Sequence, residues 1–406
     1  MSAFAKVLIS SIVLCVAEQR AALGFGFPPV PVLAKPQAQS QSMPAQSDAA
    51  AVETLKRNAD AARRAGRIDE AIELYGQALR LEPTWAEGHW DLGTIYYDSD
   101  RYAQCRDAFA RVVEYQPEHG AALAFKGLCE FHLNAYADAL NDLSRGQELG
   151  IGDDPEFSAV VGYHRAILLT RAGQYERALD EIESFIRGGN TGPEIVSALG
   201  LAQLRIPRLP SEMTPETRRM VELAGQAPIL AHGRMGDAAA RAYTQLVAQY
   251  PDVPNVHYVY GAYLLRDRPD EALEQFKLEL KRSPNHVMAR VQIAQELINR
   301  GEFDAAAPYA RDAAQLDQGN FVARKVLGQI ALQSGDIAQA VTELEAARTL
   351  QPRSPSVRFQ LARAYQRAGR TADADREREE FRRLEKLQQV QRGGVNAVGA
   401  EEETPH

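Results

Sequence analysis

The chain has 406 residues, of which 46 are basic and 54 acidic, giving a formal net charge of −8. This acidic balance disfavours a sequence-independent grip on nucleic acid or on an anionic membrane surface. The three cysteines, Cys15, Cys105 and Cys129, lack the spacing of a metal site or of a disulfide framework. We expect Cys105 and Cys129 to be buried small side chains in helices rather than a bonded pair.

The N-terminal segment has the pattern of an export signal. Residues 1–17 contain one Lys followed by an apolar run from Val7 to Ala17 that ends in small residues, which predicts a signal peptide cleaved after Ala17. The mature protein would then be periplasmic or extracellular, with no integral membrane span. A lipid anchor at Cys15 is disfavoured because bulky Leu14 directly precedes it. An N-terminal helix of a protein that is not exported is the open alternative.

Residues 18–51 are rich in Pro, Gln, Ser and Ala and have no apolar periodicity that a core could use. Segments of this composition do not bury enough apolar surface to fold. The sequence therefore predicts a disordered linker here.

A helical hairpin repeats along the rest of the chain. In residues 321–352, apolar side chains recur at three-to-four spacing in two runs separated by Ser334-Gly335 and ended by Pro352, which predicts two helices and a turn. The small residue near the start of the second helix recurs in two series with a step of 34 residues, at Ala71, Cys105 and Ala139, and at Ala272, Ala306, Ala340 and Ala374. A fixed period of this length indicates a stacked array of repeats.

The period divides the chain into blocks. We predict an N-terminal block of four repeats at residues 52–187, an irregular helical segment at 188–236, a C-terminal block with a charged capping helix at 237–385, and a disordered tail at 386–406. The irregular segment is either a hinge or insertion, or a degenerate repeat that still stacks, and we favour the second. The unit that ends at Pro284 is one residue short and requires a tighter turn.

These features resemble the tetratricopeptide repeat family, in particular the Leu-Gly pairs at Leu92-Gly93 and Leu327-Gly328 and the prolines that end the units. The resemblance covers residues 52–385. It implies an all-α solenoid, a right-handed superhelix of antiparallel helix pairs. With the predicted signal peptide, the protein would be of a secreted or periplasmic bacterial type. Because the shared residues of such arrays are packing residues, the resemblance says little about the partner.

No motif for catalysis is present. The sequence lacks a phosphate-binding Gly loop, a nucleophile elbow and a zinc-protease helix, and no two of its eight histidines have the four-residue spacing of a helical metal site. We therefore expect no enzymatic activity, no metal and no cofactor.

The resemblance also implies that the first helix of each pair lines a concave groove, with side chains at fixed positions facing it. In that register the candidates are Trp90, Tyr97, Phe131, Tyr163, Tyr258, Lys325 and Arg363. Aromatic rings would bury the side chains of an extended peptide, and the two cations would meet an acidic group or a C-terminal carboxylate. The alternative is that the rings pack between repeats and that the cations are solvated. The family's clamp for chaperone tails is not expected, because Asp60 would repel a carboxylate.

The interpretation is a non-catalytic scaffold that binds a protein or extended peptide in its concave groove. One alternative is an assembly component of a cell-envelope complex that uses the convex face or the ends. A more remote alternative is an accessory or regulatory subunit of an enzyme.

Overall fold

A computed structural model describes residues 45–398. The predicted signal peptide, the linker up to residue 44 and the tail from residue 399 lie outside the described residues. The first helix begins at Ala45 and the last ends at Val398, so helical backbone extends beyond both ends of the predicted array. Alanine-rich and charged segments favour this, because Ala, Glu, Lys and Arg have high helix propensity.

The described residues form nineteen α-helices, one short 3₁₀-helix at Pro210–Glu212 and no strand. They fall into two compact units, unit 1 ending at Gly225 and unit 2 beginning at Gln226. The helices of unit 1 are α1 Ala45–Arg64, α2 Ile68–Leu81, α3 Ala86–Asp98, α4 Tyr102–Tyr115, α5 Gly120–His132, α6 Tyr136–Leu149, α7 Pro155–Arg171, α8 Tyr175–Arg187 and α9 Pro193–Gln203.

Helix α10, Pro215–His232, contains the boundary between the units and continues through Pro228. The helices of unit 2 are α11 Gly236–Gln249, α12 Val256–Leu264, α13 Pro269–Arg282, α14 Val287–Asn299, α15 Phe303–Leu316, α16 Phe321–Ser334, α17 Ile337–Leu350, α18 Pro355–Arg367 and α19 Thr371–Val398. Consecutive helices pack as antiparallel pairs, from α1 with α2 to α7 with α8 and from α12 with α13 to α18 with α19. The fold is the predicted all-α repeat solenoid.

The turn inside each pair shows the period in the backbone. A residue in the left-handed region follows the first helix at Asp100 and Asn134, and again at Gly301, Gly335 and Gly369, with φ between 58° and 85°. Within each series these residues are 34 positions apart. Gly, Asn and Asp are the residues that adopt this conformation at least cost.

The short repeat closes its turn differently. Leu265 follows α12 in right-handed conformation, and the backbone N–H of Arg268 donates to the carbonyl of Leu264 at 2.8 Å. No residue between α12 and α13 has positive φ. The turn is tighter, as predicted. It lacks the residue in left-handed conformation that the other turns contain, which makes this repeat one residue shorter.

Small residues on the first helix face large ones on the second. A Cβ added at Gly93 would lie 2.7 Å from the ring of Phe109, and one at Gly261 would lie 2.7 Å from the ring of Phe276. Both rings are fully buried. The glycines therefore allow the two helix backbones to approach, and the large ring fills the space between them.

The irregular segment is a packed helix pair. Helix α9, for which the sequence offered no partner before the following loop, packs on the first half of α10. A Cβ added at Gly200 would overlap the carbonyl oxygen of Val221, and one at Gly225 would overlap that of Val196, so the two backbones are in direct contact. The two helices therefore form a close pair within unit 1.

Ion pairs and a cation–ring contact connect the loop between α9 and α10 to the preceding repeats. The guanidinium of Arg171 lies 2.6 Å from both carboxylate oxygens of Glu212 and stacks over the ring of Tyr136, 4.4 Å from its centroid. Arg205 pairs with Glu176, and the side chain of Leu209 is buried. These contacts hold the loop against unit 1.

Candidate functional site

The predicted groove residue Trp90 is half-buried on α3. Its ring lies edge-to-face against Phe109 on α4 and Phe125 on α5, with centroid distances of 5.3 and 5.5 Å. Aromatic pairs of this geometry contribute about 0.5–1.5 kcal/mol beyond the burial of their area. Trp90 therefore stabilises the packing of neighbouring repeats, and only the exposed part of its ring is open to a ligand.

Tyr97 and Phe131 also pack against neighbouring repeats. Tyr97 is 6% exposed, with its ring centroid 5.8 Å from that of Phe125 and 6.0 Å from that of His132. Burial raises the pKa of the Tyr97 hydroxyl, so the phenol stays neutral. Phe131 is half-buried, 5.6 Å from His132 and 4.7 Å from His164.

Tyr163 is half-buried on α7, and its ring lies 5.5 Å from that of His164. Burial and the nearby carboxylate of Glu194 raise the pKa of Tyr163 to about 12. The imidazole of His164 is buried with Nδ1 2.8 Å from the carbonyl oxygen of Val160, and burial lowers its pKa. The phenol and the imidazole are therefore neutral at pH 7.

The four predicted aromatic residues of unit 1 belong to one set of ring contacts, the aromatic network: Trp90, Tyr97, Phe109, Phe125, Phe131, His132, Tyr163 and His164. Sequence reasoning did not select the residues that link them. Phe125 and His132 each lie 35 positions after their partners Trp90 and Tyr97. A search for aromatic residues separated by one repeat plus one residue would have identified these pairs in the sequence.

Tyr258 lies in unit 2, apart from the aromatic network, and is half-buried on α12. Its ring centroid lies 4.7 Å from that of His286. Its backbone N–H donates to Oε2 of Glu279 at 3.2 Å, and Oε1 of the same carboxylate accepts from the N–H of Asn255 at 2.9 Å. Sequence reasoning missed Glu279, which is fully buried and caps the start of α12 from α13.

Lys325 lies half-buried on α16. Within residues 45–398 no carboxylate lies within ion-pair distance of its ammonium, although its neighbour Arg324 is paired with Glu343 at 2.9 Å. Burial lowers the pKa of Lys325, with no opposing contribution from an acid. One helical turn further on, Oε1 of Gln329 is buried without a hydrogen-bond partner. This short stretch of α16 therefore holds a desolvated cation and an unsatisfied polar atom.

Arg363 is exposed on α18, the first helix of the next pair. Its guanidinium lies 5.9 Å from the ring centroid of Phe359, which is 46% exposed and packs against Phe381 on α19 at 5.6 Å. The structure thus joins Arg363 to an exposed aromatic ring. It records no contact between Arg363 and Lys325 in the described part of the chain.

A group of charged side chains lies between α5 and α6. The ammonium of Lys126 lies 2.7 Å from Oε1 of Glu130 and also pairs with Asp142. Both acids are buried, and Oε2 of Glu130 has no partner. Burial raises the pKa of the Glu130 carboxyl. The single cation lies between two buried acids.

The expectation that Cys105 and Cys129 are not bonded is wrong. The structure joins them in a disulfide, with Cα atoms 6.1 Å apart, and both side chains are fully buried. Cys105 lies on α4 and Cys129 on α5, in neighbouring repeats. Only the stacking of those repeats brings the two sulfurs together, and the spacing of the cysteines along the chain does not indicate it.

Neither a metal site nor a membrane span is found in the part of the chain that the structure describes. No three His, Cys, Asp or Glu side chains there are arranged to hold a metal ion. None of the helices between residues 45 and 398 is both long enough and apolar enough to cross a bilayer.

Three family models match the chain. The one described as TPR repeat matches residues 59–100. Two described as Tetratricopeptide repeat match residues 91–153 and 230–287, and residues 297–348 and 331–377. Together with the helix pairs, these matches identify the chain as a tetratricopeptide-repeat protein. Membership of this family indicates that the protein is a scaffold for protein–protein interaction.

Similar proteins share only parts of the chain or only its fold. Over 75 residues it is 32% identical to tetratricopeptide repeat protein 13 of Homo sapiens, a stretch that is 18% of this chain and 9% of that protein. The chain thus matches under a tenth of that relative's length.

Two solved structures are similar in fold. MamA 41-end from Desulfovibrio magneticus RS-1 has 18% identity and a TM-score of 0.36 and covers 43% of this chain and 97% of its own. Yeast Tom70 has 14% identity and a TM-score of 0.32 and covers 86% of this chain and 96% of its own. At these scores we infer nothing about function from either.

Proposed function

We propose that this protein is a non-catalytic scaffold that binds an acidic extended segment of a partner protein along the first helices of its C-terminal repeats. The observation that carries the proposal is Lys325, a half-buried cation without an acid partner in the described residues. Burying an ammonium disfavours its charged form unless an anion is close. A carboxylate of the partner supplies that anion.

Two further side chains on α18 extend this surface. The exposed guanidinium of Arg363 offers paired donors to a second carboxylate, a geometry that Arg provides better than Lys. The exposed ring of Phe359 offers apolar surface at the same place. An extended segment with acidic and apolar side chains fits both, because it is the complement of a cation placed beside an aromatic ring.

The aromatic network has a different role in this proposal. Most of the surface of Trp90, Tyr97 and Phe131 is occupied by contacts between repeats. These rings keep the first helices of unit 1 in a fixed arrangement, and the exposed parts of Trp90 and Tyr163 are secondary contacts for the partner. Binding in the concave groove of unit 1 remains a prediction.

We also propose that the protein is exported. The apolar run from Val7 to Ala17 supports this, because it has the length and the ending of a cleavable signal. The disulfide between Cys105 and Cys129 adds independent support, since disulfides persist in oxidising compartments and are rare in the cytosol. Mass spectrometry of the natively produced protein, alkylated before and after reduction, tests both points by reading the N-terminus and the state of the two thiols.

The test of binding is a crosslinking pull-down of the full chain from its own cells with Lys325→Met. Lys281→Met is the matched control, because Lys281 is an exposed lysine of the same unit without an ion pair in the described residues. We expect a partner that wild type and Lys281→Met recover and that Lys325→Met loses. An Arg363→Ala variant should weaken recovery of the same partner.

Two outcomes would contradict the proposal. If Lys325→Met and Arg363→Ala recover every partner of the wild type, the first-helix face of unit 2 is not the binding surface. Assembly through the convex face or the ends then becomes the better explanation. If Lys281→Met loses the partner equally, the effect is one of net charge and not of this site.

A further inference from the structure

One histidine of unit 2 connects the starts of two helices in neighbouring repeats. Nδ1 of His286 accepts a hydrogen bond from the backbone N–H of Ala289 at 3.0 Å, which caps the start of α14. Because Nδ1 accepts, the proton of the neutral ring lies on Nε2, which donates to Oδ1 of Asn255 at 2.9 Å, directly before α12. The ring also lies against that of Tyr258, with a centroid distance of 4.7 Å. We call this set of contacts the His286 junction.

Asn255 has an uncommon backbone conformation at this junction. Its φ is 70°, in the left-handed region, and the residue is buried. Asn adopts this conformation at lower cost than most residues, but a residue other than glycine persists there only where its surroundings hold it. Glu279 accepts from its backbone N–H at 2.9 Å, and His286 binds its side chain. The start of α12 therefore depends on its contact with the imidazole.

Protonation of the imidazole is incompatible with the cap of α14. A protonated ring carries a hydrogen on both nitrogens, so Nδ1 becomes a donor that faces the N–H of Ala289. A positive charge at the start of a helix is also disfavoured by the helix dipole. The ring then has to turn away from α14, and because one ring makes all the contacts of the junction, it leaves Asn255 and Tyr258 as well.

The charged and titratable side chains packed around this junction include His257 and Tyr258 on α12, Glu279 on α13, Arg290 on α14 and Asp312 on α15. Arg290 lies one helical turn after His286 and repels an imidazolium. Glu279 attracts one, but both of its carboxylate oxygens already accept hydrogen bonds from N–H groups at the start of α12. The N–H of Ala289 is in direct contact with Nδ1, so the loss of the cap outweighs this attraction.

The same arrangement occurs in unit 1. Nδ1 of His119 accepts from the N–H of Ala122 at 3.2 Å, and its ring lies 5.1 Å from that of Trp90. His119 follows Trp90 by 29 positions and His286 follows Tyr258 by 28, a difference that the short turn before α13 explains. In unit 1 a disulfide also joins α4 to α5, whereas unit 2 contains no cysteine. The junction in unit 2 therefore depends on non-covalent contacts alone.

A matched cap without a titratable group lies one repeat further on. Asn320 follows His286 by 34 positions, and its Oδ1 accepts from the N–H of Ala323 at 3.1 Å at the start of α16. A carboxamide does not change its protonation near neutral pH. Unit 2 thus contains a histidine cap and an equivalent cap that is insensitive to protons.

We propose that His286 is a proton-sensitive joint between the repeat of α12 and α13 and the repeat of α14 and α15. The neutral imidazole keeps the joint closed. An imidazole released to solvent accepts a proton on Nδ1, which the closed joint does not, so the closed state binds fewer protons than the open one. The stability of the joint is therefore complete at alkaline pH and is lost as the pH falls through about 6.5, where a solvated imidazole titrates. This regulation does not depend on the surface around Lys325.

Hydrogen exchange of the full chain, read by mass spectrometry and corrected for the intrinsic pH dependence of exchange, tests the proposal. The two conditions are about pH 7.5 and about pH 5, where imidazole changes its charge and most carboxylates stay ionised. In the wild type, the opening equilibrium at the starts of α12 and α14 should rise about tenfold or more at the lower pH, with a limit of about thirtyfold. The start of α16, which Asn320 caps, is the internal control and should not change.

Two variants separate the proton from the cap. His286→Asn keeps an acceptor of the Asn320 type, so exchange at the starts of α12 and α14 should be the same at both pH values. His286→Ala removes the cap, so the start of α14 should exchange at both pH values as fast as the wild type does at the lower one. Circular dichroism confirms that each variant is folded. If one is not, the comparison of α14 with α16 in the wild type still decides the question.

Three results would overturn this proposal. Equal pH responses of α14 and α16 in the wild type would mean that the histidine cap is not special. Stronger protection of α14 at the lower pH would mean that the attraction of Glu279 for an imidazolium prevails. A pH response that persists in His286→Asn would assign the effect to another group, such as His257 or Glu279.

Discussion

Unit 1 and unit 2 repeat the same helix pair but join neighbouring pairs with different side chains. In unit 1 the aromatic network and the disulfide link elements of neighbouring repeats, and the buried charges around Lys126 link the two helices of the third repeat. In unit 2 the core around α14 to α16 is built largely from alanines, including Ala306, Ala310 and Ala313. Lys325 in this unit is half-buried without an acid partner in the described residues, and Phe359 is exposed.

This difference indicates which side chains of a repeat array are available to bind a partner. A first-helix side chain that fills the space between repeats stabilises the array, and the same side chain left exposed is available to a partner. Trp90 and Phe359 are at the same register position and take these two roles. The following predictions test the contrast, from the largest expected effect to the smallest.

Trp90→Ala should lower the free energy of unfolding by about 3–5 kcal/mol, because it removes a large aromatic side chain that packs on Phe109 and Phe125. Phe359→Ala is the matched change in unit 2 and should cost less than about 1 kcal/mol, since nearly half of that ring is exposed. Urea titration followed by circular dichroism measures both. Equal losses would remove the distinction between the two units.

Lys126→Met should lower stability by about 3 kcal/mol, because it leaves Glu130 and Asp142 buried without their cation. Arg111→Met is the control, since Arg111 forms an exposed, solvent-screened pair with Glu114 and its loss should leave stability nearly unchanged. Differential scanning calorimetry compares the two. Adding Glu130→Gln to Lys126→Met should recover part of the loss, and no recovery would mean that the buried acids are not its cause.

Replacing both Cys105 and Cys129 by Ala should cost about 2–4 kcal/mol, as expected for a disulfide that closes a loop of moderate length. The sequence separation of the two cysteines is 24. A reducing agent should lower the melting temperature of the wild type and leave that of the variant unchanged. A wild-type melt that does not respond to the reducing agent would contradict this prediction.

Lys325→Met should raise stability by about 0.5–1 kcal/mol, the scale of optimised charge substitutions, while partner binding is lost. Burial lowers the pKa of Lys325, so the folded state binds fewer protons than the unfolded state between that lowered value and 10.5. Stability of the wild type should therefore rise with pH across this window, and the variant should show a flatter profile. Urea midpoints at several alkaline pH values measure the difference. A clear destabilisation by Lys325→Met would indicate a structural role.

The repeat architecture could be predicted from the sequence because its signal is local and repeated. The step between Ala71, Cys105 and Ala139 reflects one helix-helix contact made again and again, and the structure places all three at that contact. The tighter turn before α13 followed from counting residues. These features depend on backbone geometry and on small residues, both of which a single repeat already shows.

The pairing of α9 with α10 could not be read in the same way. Gly200 and Gly225 allow the two backbones to touch, but a long loop that contains Pro207 and Pro210 separates them and breaks the period. A search for a repeat period detects regular spacing. The contact between α9 and α10 through their glycines does not require regular spacing, so such a search does not find it.

The sequence by itself determined the all-α fold and the repeat length, and it predicted an interruption of the repeats and a set of residues on the first-helix face. Only the tertiary structure decided which of those residues pack and which remain open, that Cys105 bonds Cys129, and that Lys325 lies without an acid partner in the described residues. The physical reason is that these properties depend on the next repeat. A side chain at a fixed register position is buried or exposed according to the size and charge of residues about one repeat away, and that combination is not encoded at the position itself.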